Sequence, residues 1–283
     1  MKPKLSVVIL TKNEERNIGR CLEYLFNQTL KDFEVIVVDA NSTDDTVKIA
    51  ESYGCKILRE ERSGGFGYAR NLGIKESNAD TILFLDADVF LEDPKLLERA
   101  LKRFHEHKAD ILLAKLRFPN TILGTYLSRC FSDKLTKEWG TYTPHNRFML
   151  ARKESLYEIG LYDETFRESA EDVDLCYRAH ILGKKVVYDP EIEVFHNAGY
   201  SLEEWLKKAY RDGFGAARFC MKYGLKSGLI TLKLYPFLAS LYGGIFGVRK
   251  LGLKGLKLFL WNYRLAKERQ RGFLEGLRCL KEG

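Results

Sequence analysis

Residues 81–90, TILFLDADVF, set Asp86 and Asp88 one residue apart at the end of a run whose apolar character is that of a buried strand. If the strand continues through them, alternation sends both carboxylates to one side, where they can share a divalent cation. A hard cation such as Mg2+ or Mn2+ favours oxygen donors and keeps positions open for water or phosphate. The plainer alternative is that one aspartate caps the next turn and the other is solvated. Asp39 closes FEVIVVDA in the same way; its carboxylate suits a nucleobase ring N–H or the cap of the following helix. In SAEDVDLCYRAHIL, Ser169 has the place of a helix cap and Glu171 and Asp172 fall in the first turn. The helix dipole favours carboxylates there, so the expectation is a lowered pKa for Asp172 and a base that acts by position. His196, ending a short strand, is either a further ligand or a hydrogen-bonded structural residue. His105, His107, His145 and His180 read as structural or solvated.

These residues need a scaffold, and the first 118 residues supply strand-like and helix-like runs in alternation. LSVVIL (5–10), FEVIVVDA (33–40), CKIL (55–58), 81–85 and 110–116 read as strands. Helical spacing appears at 15–28, after the cap-like Ser42-Thr43, at 66–76, and at 94–105 behind Pro94. Strands apolar on both faces and separated by helices predict an α/β doubly wound, mostly parallel sheet. Ligands meet such a sheet at the carboxyl ends of its strands, where TKNEE, VDANSTDDT and DADV all lie. Farther along, the pattern suggests a helix at 121–138, a strand near 147–151, a helix at 170–182, short strands at KKVVYD and IEVFH, and helix after Ser201. The expected domains are 1–118, a nucleotide-binding half; 119–200, an acceptor half with the base; and 201–283, a helical C-terminal extension.

The first residues hold too short an apolar run for a secretory signal or a membrane span, which places the protein in the cytoplasm. Six scattered cysteines without a C-x-x-C pair fit reduced thiols and not a disulfide frame or zinc site. No G-x-G-x-x-G follows the first strand and no G-x-x-x-x-G-K-[ST] occurs, so neither a dinucleotide fold nor a P-loop is supported.

Taken in order, SVVILTKNEERNIGRCLEYLFNQ, FEVIVVDANSTDDT, GYARNLGI, LFLDADV and AEDVDLCYRAHILGKK resemble the successive signatures of glycosyltransferase family 2, inverting enzymes of GT-A fold. The resemblance covers roughly residues 4–200. It implies that Thr11, Glu14 and Asp39 hold the base and ribose of a nucleotide sugar, and that Arg70 lies near its diphosphate. It implies that Asp86 contacts the ribose or a metal-bound water, Asp88 ligates Mg2+ or Mn2+, and His196, followed by Ser201, supplies another ligand or phosphate contact. Asp172 of the Glu171-Asp172 pair then matches the catalytic base. A cation on the leaving diphosphate and one base suit a single displacement with inversion. Asp39 puts a UDP-sugar ahead of GDP- and dTDP-sugars. Where the family often has small residues this chain has TYTPHNRFML, so Trp139, His145, Asn146 and Arg147 are candidates for lining the acceptor.

Of 46 Lys+Arg and 39 Asp+Glu, residues 203–283 hold 17 and 6, so the net positive charge belongs to the C-terminal quarter. There, 228–248 is strongly apolar, and 250–271 reads as a basic-rimmed helix suited to an anionic cytoplasmic leaflet. Peripheral membrane contact through 228–271 makes a glycan or lipid-linked acceptor the expected partner; packing on the catalytic core and an oligomer surface are the alternatives. Nucleic acid does not fit, since glycine and leucine dominate the stretch. Two other functions compete: a haloacid-dehalogenase-type phosphatase using Asp86 and Asp88, in which Phe90 stands where Thr or Val is usual, and a non-catalytic nucleotide-sugar-binding membrane scaffold, against which Asp172 argues.

Overall fold

A computed structural model describes residues 2–62, 64–119, 145–197, 201–224 and 256–282. The helix expected at 121–138, the residue Trp139 and the apolar run 228–248 lie outside them. Two compact units are present. The first takes in Met1–Pro119, Glu171–Asn197 and the described residues 145–165; the second takes in Phe166–Ala170 and the described residues from 201 onward.

The first unit is built on one mixed sheet. Its strands are β1 (Leu5–Thr11), β2 (Phe33–Asp39), β3 (Lys56–Arg59), β4 (Thr81–Asp86), β5 (Val89–Phe90), β6 (Ile111–Arg117), β7 (Phe148–Arg152) and β8 (Val186–His196). They lie in the order β3-β2-β1-β4-β7-β6-β8-β5. β1 pairs in parallel with β2 and β4, as β2 does with β3 and β6 with β8, whereas β7 runs antiparallel between β4 and β6. Around the sheet run α1 (Ile18–Phe26), α2 (Thr46–Ser52), α3 (Gly65–Glu76), α4 (Leu96–Glu106), α5 (Lys153–Ile159) and α6 (Glu171–Ile181). Val7 and Val8, or Leu83 and Phe84, point to opposite faces and are all buried, the sign of a sheet covered on both sides. One face packs Val8, Ile36, Phe84, Leu113 and Met149 with Leu156, Tyr162 and Leu175.

Several local expectations change. Ser42 and Thr43 do not cap α2: the Ser42 hydroxyl donates to Asp39, Thr43 N–H donates to Asn13, and Asp44 accepts from the N–H of Thr46, where the helix starts. Behind Pro94, α4 waits until Leu96, with Asp93 accepting from Lys95 N–H. KKVVYD and IEVFH join in one strand, β8. Its register jumps from Ala114↔Asp189 to Lys115↔Glu193, a bulge that steps over Pro190, which has no N–H for the ladder. Helix α5 was not expected. Ser169 does not cap α6, because its hydroxyl donates to Asp212, while Ala170 takes a left-handed φ of 72° ahead of the helix.

The second unit pairs α7 (Leu202–Lys222) with α8 (Leu256–Glu282). Ser201 and Glu204 form a reciprocal capping box at the start of α7. Tyr210 meets Gly272 and Phe214 meets Gly276, so the helices run in the same direction. A Cβ on Gly213 would lie 1.9 Å from the Arg269 carbonyl oxygen, so only glycine permits this approach. Asp212 accepts from Lys208 and Arg269 beside it, and these cations hold its carboxyl below the usual range even though burial opposes them. No helix among the described residues is long and apolar enough to cross a membrane.

Candidate active site

The carboxyl ends of β1, β2 and β4 carry the site, and polar bonds knit their loops together. After β1, Asn13 takes a left-handed φ of 56° and its N–H reaches the Ser42 hydroxyl, while Glu14 N–H reaches the Thr46 hydroxyl. Asp39 at the end of β2 is 0% exposed; it accepts from Thr11 Oγ1 at 3.0 Å and from Ser42 N–H at 2.9 Å. Asp39 therefore does not cap α2, which starts at Thr46; it holds the turn after β2, and Thr11 and Asp39 hold each other.

β4 ends at Asp86, and Ala87-Asp88 form a turn, so strand alternation does not carry through to Asp88. The expectation of two carboxylates facing one way by strand pleating is therefore corrected: the pair has two environments. Asp86 is 36% exposed, with Oδ1 3.9 Å from Arg70 Nη2. Asp88 is buried, with Oδ2 3.0 Å from His196 Nε2. Pairing of β5 with β8 sets His196 opposite Val89 and so beside Asp88. His196 Nδ1, also buried, has no hydrogen-bond partner among the described residues.

Glu14 shares this corner. Burial pushes its carboxyl up to about 7; Asn17 donates to it and pulls the other way, and the negative charges of Asp88 and Asp86 add to the rise. Asn17 also accepts from Asn197, tying the start of α1 to the end of β8. Neither asparagine stood out in the sequence, since neither belongs to a spacing pattern.

Across the site, α3 supplies Arg70 and α6 supplies Glu171 and Asp172. Arg70 Nη1 donates to Glu171 Oε1 at 2.7 Å, so a single guanidinium joins the end of β4 to the start of α6. Asp172 is partly buried and accepts from Val173 N–H. Desolvation, then the charge of Glu171, pushes its carboxyl up to about 7 against the pull of Arg70 and Arg147. The expected lowering by the helix dipole is thus reversed, because burial and a like-charged neighbour outweigh the first-turn field.

The other candidates divide. Asn146 is buried and donates to Glu171, while Arg147 is half-buried. Burial drives the His145 imidazole down to about 3, with Nε2 3.0 Å from the Ala114 carbonyl oxygen, so it is a structural, neutral side chain. His107 joins Arg103 on buried Asp189, and His105 contacts a backbone carbonyl of its own helix.

The donor set fits a loosely held hard cation. Asp86 and Asp88 concentrate negative charge beside Glu14, and the buried His196 Nδ1 has no hydrogen-bond partner among the described residues. Among the described residues no group of three His, Cys, Asp or Glu side chains is placed to hold a metal ion.

The model of the glycosyl transferase family 2 matches residues 6–160, more than half of the chain. The chain belongs to glycosyl transferase family 2. A poly(ribitol-phosphate) beta-glucosyltransferase of Bacillus spizizenii is 39% identical over 207 residues, 68% of this chain and 32% of that protein. The family 2 chain thus spans about a third of that relative's length. The mannosyltransferase PcManGT from Pyrobaculum calidifontis, solved with GDP-Man and Mn2+, superposes with a TM-score of 0.66 at 15% identity, covering 95% of this chain and 87% of its own. Staphylococcus aureus TarS 1–349 in complex with UDP-GlcNAc gives a TM-score of 0.57 at 21% identity over 99% and 92% of the two chains. These likenesses establish the GT-A fold of this family 2 chain.

Proposed function

We propose that the protein is an inverting glycosyltransferase that moves a sugar from a nucleotide diphosphate, UDP ahead of GDP and dTDP, to an acceptor hydroxyl or phosphate. The observation that carries the reading is Arg70, whose guanidinium contacts both Asp86 of the D-x-D and Glu171 beside Asp172. It sets a cation-binding corner next to a carboxylate fit to take a proton. Membership in family 2 supports this reading over a phosphatase or a scaffold.

In the proposed reaction, Asp172 takes the proton of the acceptor hydroxyl as that oxygen attacks the anomeric carbon and the nucleotide diphosphate leaves from the opposite face. A carboxyl near 7 is matched to that task at neutral pH. Arg70 offers positive charge beside the diphosphate side of the site, and Thr11, Glu14 and Asp39 form the wall toward base and ribose. Asp88, with His196 and Asp86 near it, would hold Mg2+ or Mn2+; when bound, the cation neutralises charge on the leaving diphosphate. The UDP-GlcNAc of the TarS complex and the GDP-Man of the PcManGT complex belong to those proteins; the donor of this chain is read by melting-temperature shifts with UDP-, GDP- and dTDP-sugars, each with and without Mn2+. Stabilisation by one nucleotide class that grows when Mn2+ is added supports the reading; no response to any of them contradicts it.

The acceptor is proposed to be a glycan or a lipid-linked one, brought close by peripheral contact of 228–271 with an anionic membrane surface. The support is the basic excess of the C-terminal quarter and the exposure of Tyr263 and Leu274 on α8 beside exposed Lys267 and Arg271. Flotation with phosphatidylglycerol vesicles at low salt is the expected result, and recovery of all protein in the unbound fraction contradicts it.

A further inference from the structure

Of the two adjacent carboxylates that open α6, only one is available to reactants. Glu171 is 7% exposed and Arg70 6%, and their 2.7 Å contact is a buried ion pair. Asn146 Nδ2 lies 3.5 Å from the same Glu171 oxygen, and Asn146 Oδ1 accepts from the Tyr162 hydroxyl at 2.8 Å. Tyr162 is fixed in turn: its backbone N–H donates to Asn71 Oδ1, its carbonyl accepts from Asn71 Nδ2, and its ring meets Phe84 edge-on. Thus α3 and the residue pair ahead of β7 hold Glu171 directly, and the loop after α5, packed on β4, holds Asn146 in turn. Asp172 accepts only the N–H of the next residue among the described residues.

We propose that Glu171 is a positioning residue and not a second catalytic carboxylate: clamped by Arg70 and Asn146, it fixes the first turn of α6 and the charge that Asp172 faces. This rests on the reading of Asp172 as the base. The groups that face Asp172 are Glu171 on its own helix, Arg70 from α3, Arg147 from ahead of β7, and, more weakly, the Tyr162 hydroxyl and the Cys176 thiol one turn on. Glu171 favours the protonated form of Asp172, and the two arginines favour the ionised form. In Glu171→Gln the repulsion goes and Arg70 is released toward Asp172, so both effects act in one direction. In Arg147→Gln the direction is opposite.

The experiment is a pH titration of the Asp172 carboxyl by carbon-13 NMR on the full chain labelled at aspartate, with Asp172→Asn assigning the signal. The wild-type midpoint is expected near 7. Glu171→Gln should lower it by about one pH unit or more, a shift that mere loosening of the fold would not give in a fixed direction. Arg147→Gln, a change at a half-buried side chain, should raise it and serves as the deciding variant if Glu171→Gln does not fold. An unmoved midpoint in Glu171→Gln, or in Arg147→Gln, overturns the proposal. Turnover retained in Asp172→Asn would instead overturn the assignment of the base, so the two failures are told apart.

Discussion

Arg70 and Glu171, 101 residues apart in sequence, meet at 2.7 Å in the interior. That contact fastens the middle of α3 to the first turn of α6 and makes the two a single buried unit. Removing one partner leaves the other charge buried alone. Arg70→Met should therefore destabilise by about 3 kcal/mol or more, while Arg70→Met with Glu171→Leu should cost less than the two single changes together. Urea unfolding of the three variants measures this, and additive losses would contradict the pairing.

Asp172 should be a liability to stability above neutral pH. Its folded pKa is raised from 3.8 to about 7, so the folded state holds a proton that the unfolded chain has already released between those values. Stability linked to this group is complete below the unfolded pKa and is lost as pH rises through about 7. Asp172→Asn, which carries no charge to desolvate, should then be more stable than wild type at pH 8.5, by up to about 4 kcal/mol, and nearly equal at low pH. Equal melting temperatures at both ends of the range would show that Asp172 is not held against its charge.

Glycine at position 213 should be required for the helical pair. Gly213→Ala directs a methyl group at the Arg269 carbonyl, and the second unit must separate its helices to accept it. The expected loss is about 2 kcal/mol or more, read from thermal unfolding by circular dichroism. A neutral result would mean that α7 and α8 do not approach this closely.

Much of this architecture is legible in the sequence. The apolar runs of β1, β2, β4 and β6 are buried on both faces, and the spacing of Ile18, Cys21, Leu22 and Leu25 gave α1 its buried face. The loops were less legible because their polar residues choose partners across the fold. Ser42 serves Asp39 and Asn13 instead of capping α2, and Ser169 serves Asp212 instead of capping α6. The same limit hid Asn17, Tyr162 and Asn197, whose roles are set by neighbours on other strands and helices. The direction of the Asp172 shift is not legible in the sequence, because a helix dipole is visible there, whereas burial beside Glu171 is not.

The cation corner should respond to charge removal in a defined way. With nucleotide diphosphate and Mn2+ at about a hundred times their dissociation constants, wild type should gain about 2.7 kcal/mol of stability. Asp88→Asn should lose the part of the gain that requires Mn2+ and keep the part due to nucleotide alone. An undiminished Mn2+ effect in Asp88→Asn would move the cation elsewhere.

The central claim is that Asp172 accepts the proton of the attacking hydroxyl, and Asp172→Asn tests it most directly. With the donor identified by the melting-temperature panel, calorimetry should show donor binding within about twofold of wild type, while turnover measured by nucleotide release falls a hundredfold or more, about the contribution of a general base. Wild-type turnover should climb with pH through about 7 as the carboxyl ionises. Donor binding retained with turnover lost is the predicted result; turnover in Asp172→Asn equal to wild type would contradict the account.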